Sequence, residues 1–129
     1  MLQYILLDYY LITVNLSAIS SKDVTVDYVI TGTATGSGTD YALANGTLTI
    51  SAGSTSSTIT IENIADDSLD EENETVIITL SSPSNATLGS DSVHTYTISD
   101  NDSAPVVDFN TTSSSGVESV SSAGLTVNL

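Results

Sequence analysis

Carboxylates are the only side chains whose number and spacing could support chemistry in this chain. One run, residues 66–74 (DDSLDEENE), holds Asp66, Asp67, Asp70, Glu71, Glu72 and Glu74. Asp40 stands upstream of it, and Asp100 and Asp102 flank Asn101 downstream. These oxygens are hard donors suited to Ca2+ or Mg2+. Zinc would want histidine or thiolate, and the chain has one His and no Cys. The spaced Asp, Asn and Gly of an EF-hand loop are absent. Acid-base or covalent catalysis fits poorly, because His94 alternates with Tyr96 and Ile98 as a strand residue would, without a second base or paired nucleophile. Two carboxylates could hydrolyse a glycoside only beside a substrate cleft, which a small β-domain rarely offers. No enzyme activity is expected.

The charge balance narrows the partners. Sixteen Asp and Glu oppose one basic residue, Lys22, for a net charge of −15. Such a chain repels phosphate, so nucleic acid and anionic membrane surfaces are excluded as partners and divalent cations favoured. Length and hydrophobic content, 129 residues at 40%, support one modest core. Ser and Thr number 41, and this composition favours strands over helices. Without cysteine there is neither a disulfide framework nor a thiolate site, and the redox compartment stays open. The apolar opening, residues 1–12, has no positive flank, carries Asp8, and is shorter than the roughly 20 residues of a membrane helix. It is expected to be the edge of an excised fragment, with any signal further upstream.

Period-two alternation recurs along the chain, the pattern of strands with one face in a core and one in water. Strands are expected at about residues 12–18, 24–31, 46–51, 57–64, 74–81 and 93–99, separated by Gly, Asn, Asp, Ser and Pro turn signals. That spacing predicts an all-β chain, an antiparallel immunoglobulin-like β-sandwich of about seven strands whose first strand is largely missing. Residues 125–129 (LTVNL) closely copy residues 12–16 (ITVNL) at an offset of 113, the mark of a tandem array. The expected domains are therefore a sandwich over residues 1–102, a linker at 103–105 and the start of the next repeat at 106–129. The missing strand would begin at the end of the sandwich opposite to where the last strand finishes, and residues 103–105 span only about 10 Å. The tail is thus expected to be loosely held or swapped into another molecule.

Chain direction assigns each loop to an end. If successive strands are antiparallel, the loops carrying Asp40, residues 66–73 and residues 100–102 meet at one end, with Lys22 at the other. Nine carboxylates would gather there: Asp40, Asp66, Asp67, Asp70, Glu71, Glu72, Glu74, Asp100 and Asp102. An acidic run is ordinarily a solvated loop, but like charges about 4 Å apart repel by on the order of 1 kcal/mol even in bulk water. Calcium accepts six to eight oxygens in flexible geometry, whereas magnesium keeps its waters. Calcium is the better fit.

Five segments carry a family resemblance: residues 32–41 (GTATGSGTDY), 46–50 (GTLTI), 64–75 (IADDSLDEENET), 80–89 (LSSPSNATLG) and 97–102 (TISDND). Together they resemble a Calx-beta repeat, the domain type found in regulatory loops of sodium/calcium exchangers, in integrin β4 and in bacterial surface adhesins. The likeness runs over residues 12–102. It implies calcium held by Asp40, Asp66, Asp67, Glu71, Glu74, Asp100 and Asp102, plus the backbone carbonyl of Leu69. Three departures imply fewer ions, one or two, bound less tightly. Asn101 replaces an acid, Ser68 stands where an acid is common, and the family's glutamate before the first complete strand falls at Ile5, though the next repeat keeps it as Glu118.

The implied function is a calcium-binding repeat of a larger extracellular or cell-surface protein, stiffening a tandem array for adhesion or cell communication. Its partners would be calcium ions, neighbouring repeats, and a protein or glycan ligand of the parent. The alternatives are a passive stalk repeat without functional calcium binding, and a regulatory domain of a membrane transporter. Six Asn-x-Ser/Thr sequons occur, but Asn73 and Asn101 fall in the acidic loops and Asn15 on a strand, poor places for a sugar.

Overall fold

The computed structural model describes residues 9–119 and 121–129. Its strands are β1 (Tyr9–Asn15), β2 (Val24–Gly32), β3 (Gly46–Ile50), β4 (Ser56–Glu62), β5 (Glu74–Ser84), β6 (Val93–Ile98), β7 (Asp108–Phe109) and β8 (Val127–Asn128). All six expected strands form, each within a few residues of its predicted span. β1 and β4 make one antiparallel sheet, and β3-β2-β5-β6 make the facing one. Among the described residues nothing pairs with the second edge of β1, where a first strand would lie.

Alternation places the core between the two sheets. Ile12, Ile59 and Ile61 face inward from one, and Val26, Leu48, Val76 and Ile78 from the other. Cross-strand pairs align these positions, Ile12 opposite Ile59, Val26 opposite Leu48 and Ile30 opposite Ile78. Inward side chains at i and i+2 can meet their neighbours only if the register holds, since a one-residue slip would turn the whole face to solvent. Gly32 allows the β2 exit. Its φ of +128° suits glycine, and a Cβ there would run into the carbonyl oxygen of Thr75. That close approach lets Thr33 and Thr75 exchange hydrogen bonds, with the Thr75 N–H donating to Thr33 Oγ1 at 2.9 Å.

β1 and the end of β5 depart furthest from expectation. β1 spans residues 9–15 rather than 12–18, because Tyr9, Tyr10 and Leu11 pair with Glu62, Ile61 and Thr60. Residues 9–11, expected to be fragment edge, therefore belong to the sandwich, while residues 1–8 and the position of Ile5 lie outside the described residues. The expected end of β5 is residue 81, before Pro83, yet the strand continues to Ser84. Opposite β2, Thr25 pairs with Ser84 and Asp27 with Ser81, so β5 carries one extra residue there. Ser82, at φ +49°, absorbs the bulge. A bulge interrupts the ladder, so proline's missing N–H is tolerated within it.

The C-terminal strands β7 and β8 pair with each other, Asp108 opposite Asn128 and Phe109 opposite Val127. Neither packs against a strand of the sandwich.

Burial predicts what the core is worth. Ile61 is fully buried, so Ile61→Ala is expected to lower unfolding stability by about 2–5 kcal/mol. Val29→Ala, on a residue 44% exposed, is expected to cost well under half of that. Urea denaturation of the two variants checks the ordering.

Candidate functional site

Each acidic group leaves a strand at the same end of the sandwich. Asp40 sits in the β2–β3 loop and is held by the two residues after it: Tyr41 is buried in the core, and Ala42 exchanges backbone hydrogen bonds with Glu62 at the end of β4. Asp40 also closes its own loop, its Oδ2 accepting from the Thr35 N–H at 2.5 Å and its N–H donating to the Thr35 carbonyl. Gly36 lies against the ring of Tyr41 with little room for a side chain, which lets the loop fold over the tyrosine. The Ala65 N–H donates to the Asp40 carbonyl at 2.9 Å, joining this loop to the one after β4.

Two asparagines bind the remaining loops together. Asn73 Oδ1 accepts from the Asp100 N–H at 2.9 Å, and Asn101 Nδ2 donates to Asp66 Oδ1 at 3.2 Å. Asp100 turns both oxygens to backbone donors, Glu71 N–H at 3.1 Å and Asp102 N–H at 3.2 Å. Asp67 caps the next turn by accepting from the Leu69 N–H. From the sequence, Asn101 reads as a lost acid, and it and Asn73 as sequons. Their type carries the signal, since an amide among carboxylates is a neutral group able to donate to one strand end and accept from another.

The result is one open cleft of 260 Å³ lined by Asp40, Asp66, Asp67, Glu71, Glu72, Glu74, Asp100 and Asp102. All seven carboxylates of the resemblance are gathered here, together with Glu72. Asp70 stands outside the lining, and so does Leu69, whose side chain is 62% exposed. The gathering is loose. Among the described residues no three His, Asp or Glu side chains close to the spacing of a metal cage. Lys22 belongs to the β1–β2 loop at the far pole, where the Ser20 carbonyl accepts from the Gly53 N–H. His94 is also remote, on β6, where it lines a separate groove with residues of β1 and of the β5–β6 loop.

Crowding shows in the proton affinities. Glu74 is pushed above the ordinary carboxylate value by partial burial first, then by the charge of Asp40 and its hydrogen bond, then by Glu71. Asp102 is pushed up by partial burial, then by Asp100, Asp66, Asp67 and Asp70. Asp102 thus feels acids from two different loops. Every donor in the cleft is oxygen, so the set fits a hard cation and suits neither zinc nor a redox metal.

A two-layer antiparallel sandwich with acidic loops at one pole defines the class of module. The Calx-beta domain family model matches residues 9–102, and the chain belongs to that family. Solved structures agree. The chain is similar to the apo form of the Calx CBD1 domain, at 30% identity and a TM-score of 0.63, over 73% of this chain and 83% of that one. It is also similar to CBD12 from CALX1.2, at 27% identity and a TM-score of 0.65, over 80% of this chain. The calcium binding domain CBD12 of CALX1.1 matches at 30% identity and a TM-score of 0.65, again over 80% of this chain. The chain spans 42% of the length of each CBD12 structure. No curated protein matches it in sequence.

Raised carboxylate pKa values fix a sign for the metal-free protein. Between the unfolded value and the raised folded one, the native state holds more protons, so stability falls as pH climbs through that window. In chelator, the melting temperature is expected to descend as pH rises above the ordinary carboxylate range, and Glu74→Gln to flatten the descent. Calorimetry from pH 4 upward checks it; a melting temperature that climbs over the same range contradicts the crowding.

Proposed function

We propose that the acidic pole binds Ca2+ and that binding stiffens the joint to the next repeat. One observation carries this reading: eight carboxylates from three separate loops line a single cleft. Linker residues 103–105 leave directly from it. Asp40, Asp66, Asp67, Glu71, Glu74, Asp100 and Asp102 supply the side-chain oxygens, and the Leu69 carbonyl is drawn in as its turn closes. A bound cation cancels the mutual repulsion of groups such as Glu74 and Asp102, exchanging scattered N–H contacts for a common centre. Because Asn101 donates to Asp66 where an acid would ligate, one or two ions are bound.

The role is one of binding and mechanics. We assign the parent to the extracellular or cell-surface space, with adhesion or cell communication as its task, on the tandem repeat that residues 12–16 and 125–129 mark. The CALX neighbours favour a second reading for the parent, a regulatory domain of a membrane transporter. No helix of the described residues is long and apolar enough to cross a membrane. Flanking sequence distinguishes the two, since a transporter would show membrane helices on both sides.

Calcium at a hundred times its dissociation constant is expected to stabilise the chain by about 2.7 kcal/mol, visible as a rise in melting temperature that NaCl at matched ionic strength does not reproduce. Asp40→Asn combined with Asp100→Asn is expected to abolish the rise. An equal response to the two salts would make the module a passive spacer whose acids serve solubility alone.

A further inference from the structure

Asn73 touches the acidic cleft from behind. It is the residue just before β5, and it is not among those lining the cleft of Asp66 and Asp102. It lies instead on a neighbouring open concavity, with Thr33 and Thr35. The β5–β6 ladder ends at the pair Glu74 and Ile98. Carried two residues on, the same register would set Asp100 opposite Glu72. The Asp100 N–H donates to Asn73 Oδ1 instead, at 2.9 Å, so a side-chain oxygen takes the place of the next backbone carbonyl.

That substitution lets the chain leave the ladder while its first loop residues stay fixed. With its backbone held by Asn73, Asp100 directs both carboxylate oxygens to its neighbours. Oδ2 accepts from the Glu71 N–H at 3.1 Å, and Oδ1 from the Asp102 N–H at 3.2 Å. One neutral amide is thus linked by hydrogen bonds to Asp100, and through Asp100 to Glu71 and Asp102, all three of which line the cleft.

We propose that Asn73 is a positioning residue of the acidic cleft, one that touches no cation itself but holds Asp100, and through it Glu71 and Asp102, where a divalent cation can take their oxygens. The assignment rests on the calcium reading above. Like charges in the cleft push the exit of β6 away from the β4–β5 loop, and the Asn73 bond opposes that movement. Without it, the entropy of ordering residues 99–102 is added to the cost of binding. An amide suits the position better than an acid. Asn73 stands between Glu72 and Glu74, and its oxygen accepts the Asp100 N–H without adding a further like charge.

Two readouts test the assignment, the first without any metal. In chelator, hydrogen exchange at the Asp100 amide is expected to run roughly tenfold faster in Asn73→Ala than in the unmodified chain, as one lost hydrogen bond allows. The melting temperature in chelator should barely move, since residue 73 is exposed. In calorimetric titration the same variant is expected to bind calcium about 10–100-fold more weakly, the range for losing a group that orients metal ligands. Asn73→Asp, which keeps an accepting oxygen, is expected to leave the Asp100 amide protected and to bind at least as tightly as the unmodified chain. Equal calcium affinity in Asn73→Ala and the unmodified chain overturns the proposal. So does weaker binding without faster exchange at Asp100, because Asn73 then acts by some route other than holding that residue. An unmodified chain that ignores calcium overturns the calcium reading and the assignment with it, whereas the other two failures strike the assignment alone.

Discussion

Mutual repulsion among carboxylates at one pole is the constraint to which the rest of this molecule answers. Eight of them line one cleft, and the only basic side chain of the protein, Lys22, lies in a loop at the other pole. A flexible chain would relieve that crowding by moving its loops apart. Here it cannot, because each loop is pinned at its root by something apolar or hydrogen-bonded in the sandwich. Tyr41 is buried one residue beyond Asp40, and Val76, fully buried, lies two residues beyond Glu74. Packing energy in the core therefore holds the charges close, and partial burial first, then the neighbouring carboxylates, raise the proton affinities of Glu74 and Asp102.

The loops themselves are spared collapse by donors placed among the acids. Backbone N–H groups of Glu71 and Asp102 satisfy Asp100, and Asn101 satisfies Asp66. These bonds keep the cleft open and its oxygens partly occupied. The contacts that hold them there are individually modest, about 0.5–1.5 kcal/mol net for a neutral pair and more for a charged one.

Much of this was legible in the residues alone. Alternation located all six strands of the sandwich, because an inward face at every second residue can be satisfied only by strands around a shared core. Counting chain reversals assigned three acidic loops to one pole, because antiparallel strands leave no freedom in where a connection emerges. Sequence was blind where the answer depended on contacts between distant segments. Nothing local reveals that Tyr9, Tyr10 and Leu11 extend β1, since the partner that holds them, residues 60–62 of β4, is some fifty positions away. Pro83 reads as the end of a strand until the bulge opposite Thr25 and Asp27 makes room for it. Residue types and their period determined the fold, the pole and the hard-donor character of the cleft; tertiary structure alone decided that Glu72 joins its lining while Asp70 does not, and which asparagines bridge the loops. The division is physical: periodic burial is written along the chain, whereas spacing across a cleft is set by how separate loops settle against each other.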